Sequence, residues 1–362
     1  MGHKNHFLVL IYTTIISTSL LISSGTLQED VGFELGLEEV GQIDTGGWAL
    51  DIWVEGGLAY LTDLEAGFRI YDVSNPSESE ELAHMFPSGG AHQMFLDGPD
   101  DLVYLANHVH GLEIINVSDP TNPREIEHTY HEGGYVSDVY LVDNLLYIIE
   151  HGLTVLNVSD PGNPVKLGEY PGDDYMSDIK VIGDYGYLSH GHFGLDILDI
   201  TDPTNMTKVK TYVDEGIANN AEVIGNLLFL ADWDGGFKIL DITDRNNPTK
   251  IGESESSTDY AGDLTITGHL AFVGGWEDGL YVYNISDPIQ PMLLANHNDG
   301  GKATGVYVQD DLIFVADNTD GLEILRIRSN IPGNSTSFEF LIPFVLCIGL
   351  MSLHQKIRKD RI

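Results

Sequence analysis

Gly194-Leu-Asp-Ile-Leu-Asp-Ile-Thr-Asp-Pro203 is one copy of a ten-residue phrase whose recurrence decides how this chain folds. The phrase returns at Gly67 to Pro76, Gly111 to Pro120, Gly152 to Pro161 and Gly279 to Pro288, with a copy from Gly236 to Asp244 and a degenerate one from Gly321 to Arg328. Its Asp or Asn marker stands at Asp72, Asn116, Asn157, Asp199, Asp241 and Asn284, and Arg326 takes that slot in the last copy. The intervals are 44, 41, 42, 42, 43 and 42 residues. A fixed period of this size is the mark of a repeat architecture.

Working outward from the phrase gives the content of one repeat. Asp178-Ile-Lys-Val-Ile alternates apolar and polar residues and turns at Gly183-Asp184. Tyr185-Gly-Tyr-Leu-Ser is a second short apolar run, Leu195-Asp-Ile-Leu-Asp-Ile a third, and Lys208-Val-Lys-Thr-Tyr-Val a fourth. Short runs rich in β-branched and aromatic residues, bounded by Gly, Asp and Pro, are strand signals. Residues 40–328 hold no apolar stripe of helical period long enough for a stable helix. Four strands per repeat make one blade of a β-propeller. The seventh repeat, from Gly301, supplies only three strands, whereas Leu37-Glu-Glu-Val-Gly-Gln-Ile-Asp44 stands alone before the first. The expected fold is therefore all-β, a seven-bladed propeller of four-stranded blades whose last blade is completed by the N-terminal strand. Such a closure removes the exposed sheet edge an open ring would leave.

The phrase, together with an upstream element such as Asp138 to Asn144 or Asp178 to Asp184, resembles the LVIVD-repeat family of β-propellers over roughly residues 37–328. The resemblance implies the propeller fold and a bacterial or archaeal surface protein; the role of such proteins is mostly unassigned. Propellers host enzymes and binding modules alike, so the fold leaves function to the site.

The ends suggest an address. Lys4 precedes an apolar, Ser/Thr-rich stretch from Phe7 to Ser23, followed by small residues. Residues 1–25 read as a secretory signal peptide, with an uncleaved anchor as the alternative. Residues 26–36 are a short leader, 37–328 the propeller and 329–337 a polar linker. Residues 338–355 form an apolar transmembrane or sorting segment, and 356–362 a basic tail with Lys356, Arg358, Lys359 and Arg361. Basic residues behind an apolar segment mark the cytoplasmic side. This places the propeller on the extracytoplasmic face of the membrane, at the cell surface.

The chain carries 56 acidic and 17 basic residues, a formal net charge of −39. Such a surface repels phosphate backbones, so nucleic acid is not an expected partner. The single cysteine, Cys347, lies in the C-terminal apolar segment. The propeller thus has neither a disulfide nor a thiolate zinc site.

Aligning the repeats puts Asp51, Gln93, Asp138, Asp178, Asn220, Asp263 and Gly305 in one ring at the start of the first strands. Asp51, Asp138, Asp178 and Asp263 offer hard oxygen ligands, which suit Ca²⁺. A repeated Asp equally serves as a turn or inter-blade hydrogen-bond residue. Three positions earlier stand Trp48, Tyr135, Tyr175 and Tyr260, aromatic residues on the rim that can stack on a sugar or anchor a protein partner. The loops between second and third strands carry His108, His110, His151, His190 and His192, but no third ligand at fixed spacing and no His-Glu-x-x-His. They read as surface histidines. Asn116, Asn157 and Asn284 match the glycosylation sequon inside the repeated turn, whereas Asn205 and Asn334 lie outside that slot and are the better candidates.

Two functions compete on this reading. One is a surface-anchored binding module for a protein or glycan ligand. The other is a metal-dependent hydrolase or lyase at the acidic channel mouth, where paired carboxylates would act as acid and base or hold a cation. No Gly-x-Ser-x-Gly elbow is present. An active site is expected where the repeat symmetry breaks.

Overall fold

The computed structural model describes residues 35–64, 66–86, 90–108, 110–126, 135–172, 176–254 and 260–329. The signal peptide, the greater part of the linker, the C-terminal segment, the basic tail, Tyr175 and Asn334 lie outside the described residues. Among the described residues no helix is long and apolar enough to cross a membrane.

Seven four-stranded antiparallel sheets follow one another along the chain. The first strands of blades one to seven are Ala49–Glu55, Met94–Asp97, Asp138–Val142, Asp178–Ile182, Asn220–Ile224, Asp263–Thr267 and Gly305–Gln309. These strands contact their neighbours in succession, and the strand of blade seven contacts that of blade one, so they line the centre of a ring. Blade seven takes its fourth strand from the N-terminus: Leu35–Ile43 pairs antiparallel with Leu322–Ser329. The strand thus begins two residues before the leader boundary read from the sequence.

The core lies between blades. One cluster joins Ile52, Val54 and Tyr71 of blade one to Phe314, Ala316 and Ile324 of blade seven. Another joins Tyr147, Ile149 and Val155 of blade three to Ile179, Leu188 and Leu198 of blade four. Each sheet buries both faces against its neighbours, which is why second strands such as Leu102–Ala106 are apolar throughout rather than alternating.

The repeated phrase is now explained residue by residue. Its Asp or Asn accepts the amide of the residue two further on, as in Asp72 to Ser74 (2.9 Å), Asp199 to Thr201 (3.0 Å) and Asn284 to Ser286 (2.9 Å). A second such turn follows at once, from Asp202 to Thr204 (2.9 Å). Side chains that mimic a backbone turn in this way favour Asp and Asn. The Val or Ile between them is buried, as with Val73, Val117 and Ile200. The opening glycine has positive φ in all seven copies, for example 90° at Gly194, where a Cβ would lie 2.0 Å from the Tyr212 carbonyl oxygen.

Candidate functional site

The ring aspartates tie each blade to the next. Asp51 Oδ1 accepts the amide of Ile52 at 2.8 Å, and its Oδ2 accepts that of Met94 in blade two at 2.9 Å. Asp138 accepts Val139 and, at 2.8 Å, Ile179 of blade four. Asp178 accepts Ala221 of blade five at 3.1 Å, and Asn220 donates to it at 3.3 Å. Asp263 accepts Leu264 and, at 2.8 Å, Val306 of blade seven. The amide just after the ring position is therefore satisfied in all seven blades by only four carboxylates. Where the ring holds Gln93, Asn220 or Gly305, the next blade's aspartate also takes its own neighbour's amide. One residue earlier, hydroxyl side chains donate to backbone carbonyls of the next blade. Ser137 donates to the Met176 carbonyl at 3.3 Å, Ser177 to Asn219 at 2.9 Å and Thr304 to Ala49 at 2.8 Å.

Burial raises the carboxyl pKa values of these aspartates, with the backbone amides working against it. Asp51 is raised to about 6, Asp138 to about 7 and Asp263 to about 8, and Asp178 lies well above its ordinary range. Lys180 lowers the first two and Asp178, whereas Asp263 feels instead the repulsion of Asp51 and Asp178.

Below this ring lies a second tier that breaks the symmetry. Residues two apart on a strand share a face, so the tier is Trp53, Phe95, Tyr140, Lys180, Glu222, Thr265 and Tyr307. Together with the aspartates they line a channel cavity of about 370 Å³. Four aromatic rings form a continuous arc across blades seven, one, two and three. Tyr307 and Trp53 have centroids 5.5 Å apart, Trp53 and Phe95 5.3 Å, and Phe95 and Tyr140 5.4 Å. The arc ends where the Lys180 ammonium sits 5.0 Å over the Tyr140 ring and pairs with Glu222 Oε1 at 2.7 Å. Burial disfavours the ammonium, but Glu222 and Asp178 outweigh it and hold Lys180 above its ordinary pKa. One wall of the channel is thus aromatic, and the other is polar and charged.

The repeat itself matches a known family. The LVIVD repeat matches residues 46–83, 100–130, 133–171, 174–214, 215–259, 258–299 and 300–333. The chain belongs to the LVIVD-repeat family. No curated protein matches the chain in sequence. Solved propellers share the fold at low identity. Virginiamycin B lyase from Staphylococcus aureus, in a catalytically inactive form with quinupristin, is 15% identical with a TM-score of 0.66, over 81% of this chain and 99% of that one. The WD40 β-propeller domain of Doa1 is 10% identical with a TM-score of 0.65, over 80% and 96%. The computationally designed Ika8 protein is 9% identical with a TM-score of 0.59, over 80% and 99%.

On the rim of this LVIVD propeller, Trp48, Tyr135 and Tyr260 are exposed by 45%, 41% and 38%, so each keeps a face open to solvent. Two also rest on the preceding blade. Tyr135 lies 3.8 Å from the His108 ring, and Tyr260 meets Trp233 edge-on at 5.3 Å. Trp233 in turn contacts Trp276 at 5.6 Å, and Lys302 sits 4.9 Å over Trp276. Trp233 and Trp276 occupy the loop position where aligned repeats place His108 and His151, so one repeat read alone does not mark them. Among the described residues no group of three potential metal ligands includes these histidines; His108 lies against Tyr135, and His190 faces Asp196 at 3.4 Å. Asn205 is exposed on a turn closing back to Asp202.

Proposed function

We propose that this LVIVD propeller is a binding module held on the extracytoplasmic face of the cell membrane, and that its ligand is a glycan whose end enters the axial channel. The observation that carries the reading is the second tier. Four of its seven residues are aromatic and two are charged, and they are sorted into an aromatic arc and a polar wall. Rings of this kind offer flat apolar faces to a sugar. Opposite them, Glu222, Lys180, Thr265 and Asn220 offer donors and acceptors for hydroxyls. Pockets of a few hundred Å³ with apolar walls and a few convergent polar groups are the usual form of small-ligand sites. The half-exposed Trp48, Tyr135 and Tyr260 would extend the contact outside the channel.

The address rests on the apolar stretch from Phe7 to Ser23 and on the basic cluster after residue 355. The net charge of −39 and the absence of cysteine from residues 37–328 are compatible with it. For a hydrolase or lyase at the channel mouth, the ring aspartates would have to exchange protons or bind Ca²⁺ while carrying the backbone amides described above. The binding reading makes no such demand on them.

The test is a glycan array probed with the labelled full chain beside Trp53→Ala and Tyr307→Ala. The reading expects selective glycan binding that both substitutions reduce by about tenfold or more, the loss of one to two well-packed ring contacts. Absence of glycan binding, with capture of a defined protein partner through the rim, would replace the glycan by a protein.

A further inference from the structure

Blade seven repeats a charged cluster of blade five with its cation removed. In blade five Asp232 is buried at the end of the second strand, and Lys238 lies six residues on, in the third. The Lys238 ammonium bonds Asp232 and, at 2.6 Å, Asp214. Gly216 covers the Asp232 carboxylate so closely that a Cβ would overlap its oxygens. Blade one follows the same plan, with Asp63 buried under Gly47 and Arg69 six residues on, its guanidinium bonding the Thr45 carbonyl at 2.7 Å.

In blade seven the cradle is kept: Gly301 covers Asp317, and Asp299 stands two residues before Gly301, as Asp214 does before Gly216. The cation position, however, holds Glu323, and Asp320 joins the group. One oxygen each from Asp299, Asp317 and Asp320 lies within 4.8 Å of the others. Asp317 is only 3% exposed; it accepts the Lys302 amide, yet its Oδ2 meets no donor. Asp63 and Asp232 also each leave one oxygen without a hydrogen-bond donor, but their clusters contain Arg69 or Lys238. Glu323, equally buried, bonds His297 at 2.7 Å. The nearby Lys302 turns away to Glu277 at 2.9 Å. A buried acid thus faces a second buried acid where two sister blades supply a positive side chain.

We propose that blade seven binds a divalent cation, Ca²⁺ by its donor chemistry, between Asp299, Asp317 and Asp320, in the place that the Lys238 ammonium takes in blade five. Carboxylate oxygens are the ligands Ca²⁺ prefers, at about 2.3–2.6 Å, so two of them on opposite sides of one ion stand about 5 Å apart. The three oxygens already lie within that span. The ion would give Asp317 Oδ2 a partner and offset the repulsion from Glu323. The site is separate from the channel, and its failure would leave the glycan reading untouched.

The experiment is calorimetric titration of the chelator-treated full chain with CaCl₂, with melting curves at each Ca²⁺ level. One ion per chain is expected, with Kd of about 10⁻⁴–10⁻³ M, the range of extracellular Ca²⁺ modules, and a melting temperature that rises with Ca²⁺. Glu323→Lys rebuilds the cluster of blade five. It should abolish the Ca²⁺ response and melt at or above the metal-free parent. Asp320→Asn, a milder change on the loop, should weaken binding by about tenfold and serves as the readout if Glu323→Lys fails to fold. A parent chain that shows neither heat nor a melting shift would overturn the proposal. So would Ca²⁺ binding that survives both substitutions, or that disappears in Asp138→Asn while surviving in Asp320→Asn.

Discussion

Replacing Lys238 by Met should destabilise the propeller strongly at pH 8 and much less at pH 5. The Lys238 side chain is 6% exposed and bridges Asp232, 1% exposed, and Asp214, 22% exposed. Met fills a similar volume, so the change removes the charge more than the packing. Removing one partner of a buried ion pair costs about 3–5 kcal/mol, because the other charge is left uncompensated. For a domain of this size that corresponds to a fall in melting temperature of roughly 6–10 °C. The pH dependence follows from Asp232. Burial, with Lys238 opposing it, already raises this group to about 7 from 3.8. Without the lysine it rises further, so the folded variant holds a proton that the unfolded chain releases above about pH 4. Stability then falls as pH rises through that window, since the folded state binds more protons than the unfolded one. The assay is denaturant unfolding of parent and variant at pH 5 and pH 8. A deficit below about 1 kcal/mol at pH 8, or one equal at the two pH values, would contradict the role given to Lys238.

Further outcomes follow from the ring and the turns. Asp51→Ala at pH 5, where little carboxylate charge is relieved, should cost about 2–6 kcal/mol for two amides left without an acceptor. Gln93→Ala, to whose side chain no amide donates among the described residues, should stay within about 0.5 kcal/mol; equal costs in unfolding experiments would contradict the ring assignment. Gly194→Ala should cost at least about 2 kcal/mol, from the positive φ and the Tyr212 carbonyl beneath it, and an unchanged melting curve would count against it. In the metal-free parent, Asp51, Asp138 and Asp263 hold protons when folded up to about 6, 7 and 8. Their raised values make stability fall as pH climbs from about 4 to 8, and an Asp138→Asn chain should show a shallower fall in a melting series.

Much of the fold was legible because each repeat spells its own punctuation. The Asp or Asn of the phrase is a turn acceptor, its glycine has a φ few other residues adopt, and the orphan strand before the first repeat fits the vacancy in the last. The site was less legible. Recurrence marks the ring aspartates, and they recur because seven blades need their amides bound. The tier that differs from blade to blade lies two positions on, where Trp53, Phe95, Tyr140, Lys180, Glu222, Thr265 and Tyr307 share the face of that ring. Strand periodicity alone, applied to the same alignment, would have found it. Asp317 and Asp320 were visible as loop acids, but their distinction appears only when blade seven is laid on blade five and Glu323 falls on Lys238. That Tyr135 and Tyr260 rest on His108 and Trp233 is a contact across blades, which no pattern within one repeat encodes.

The measurement that bears most directly on the account is the affinity of one array-selected glycan for the full chain and for Trp53→Ala, Tyr307→Ala and Trp48→Ala, with melting curves to confirm folding. The account predicts about tenfold or greater loss for the two channel residues and a smaller loss for Trp48 on the rim. Undiminished binding by folded Trp53→Ala and Tyr307→Ala would contradict it and place the ligand elsewhere on the propeller.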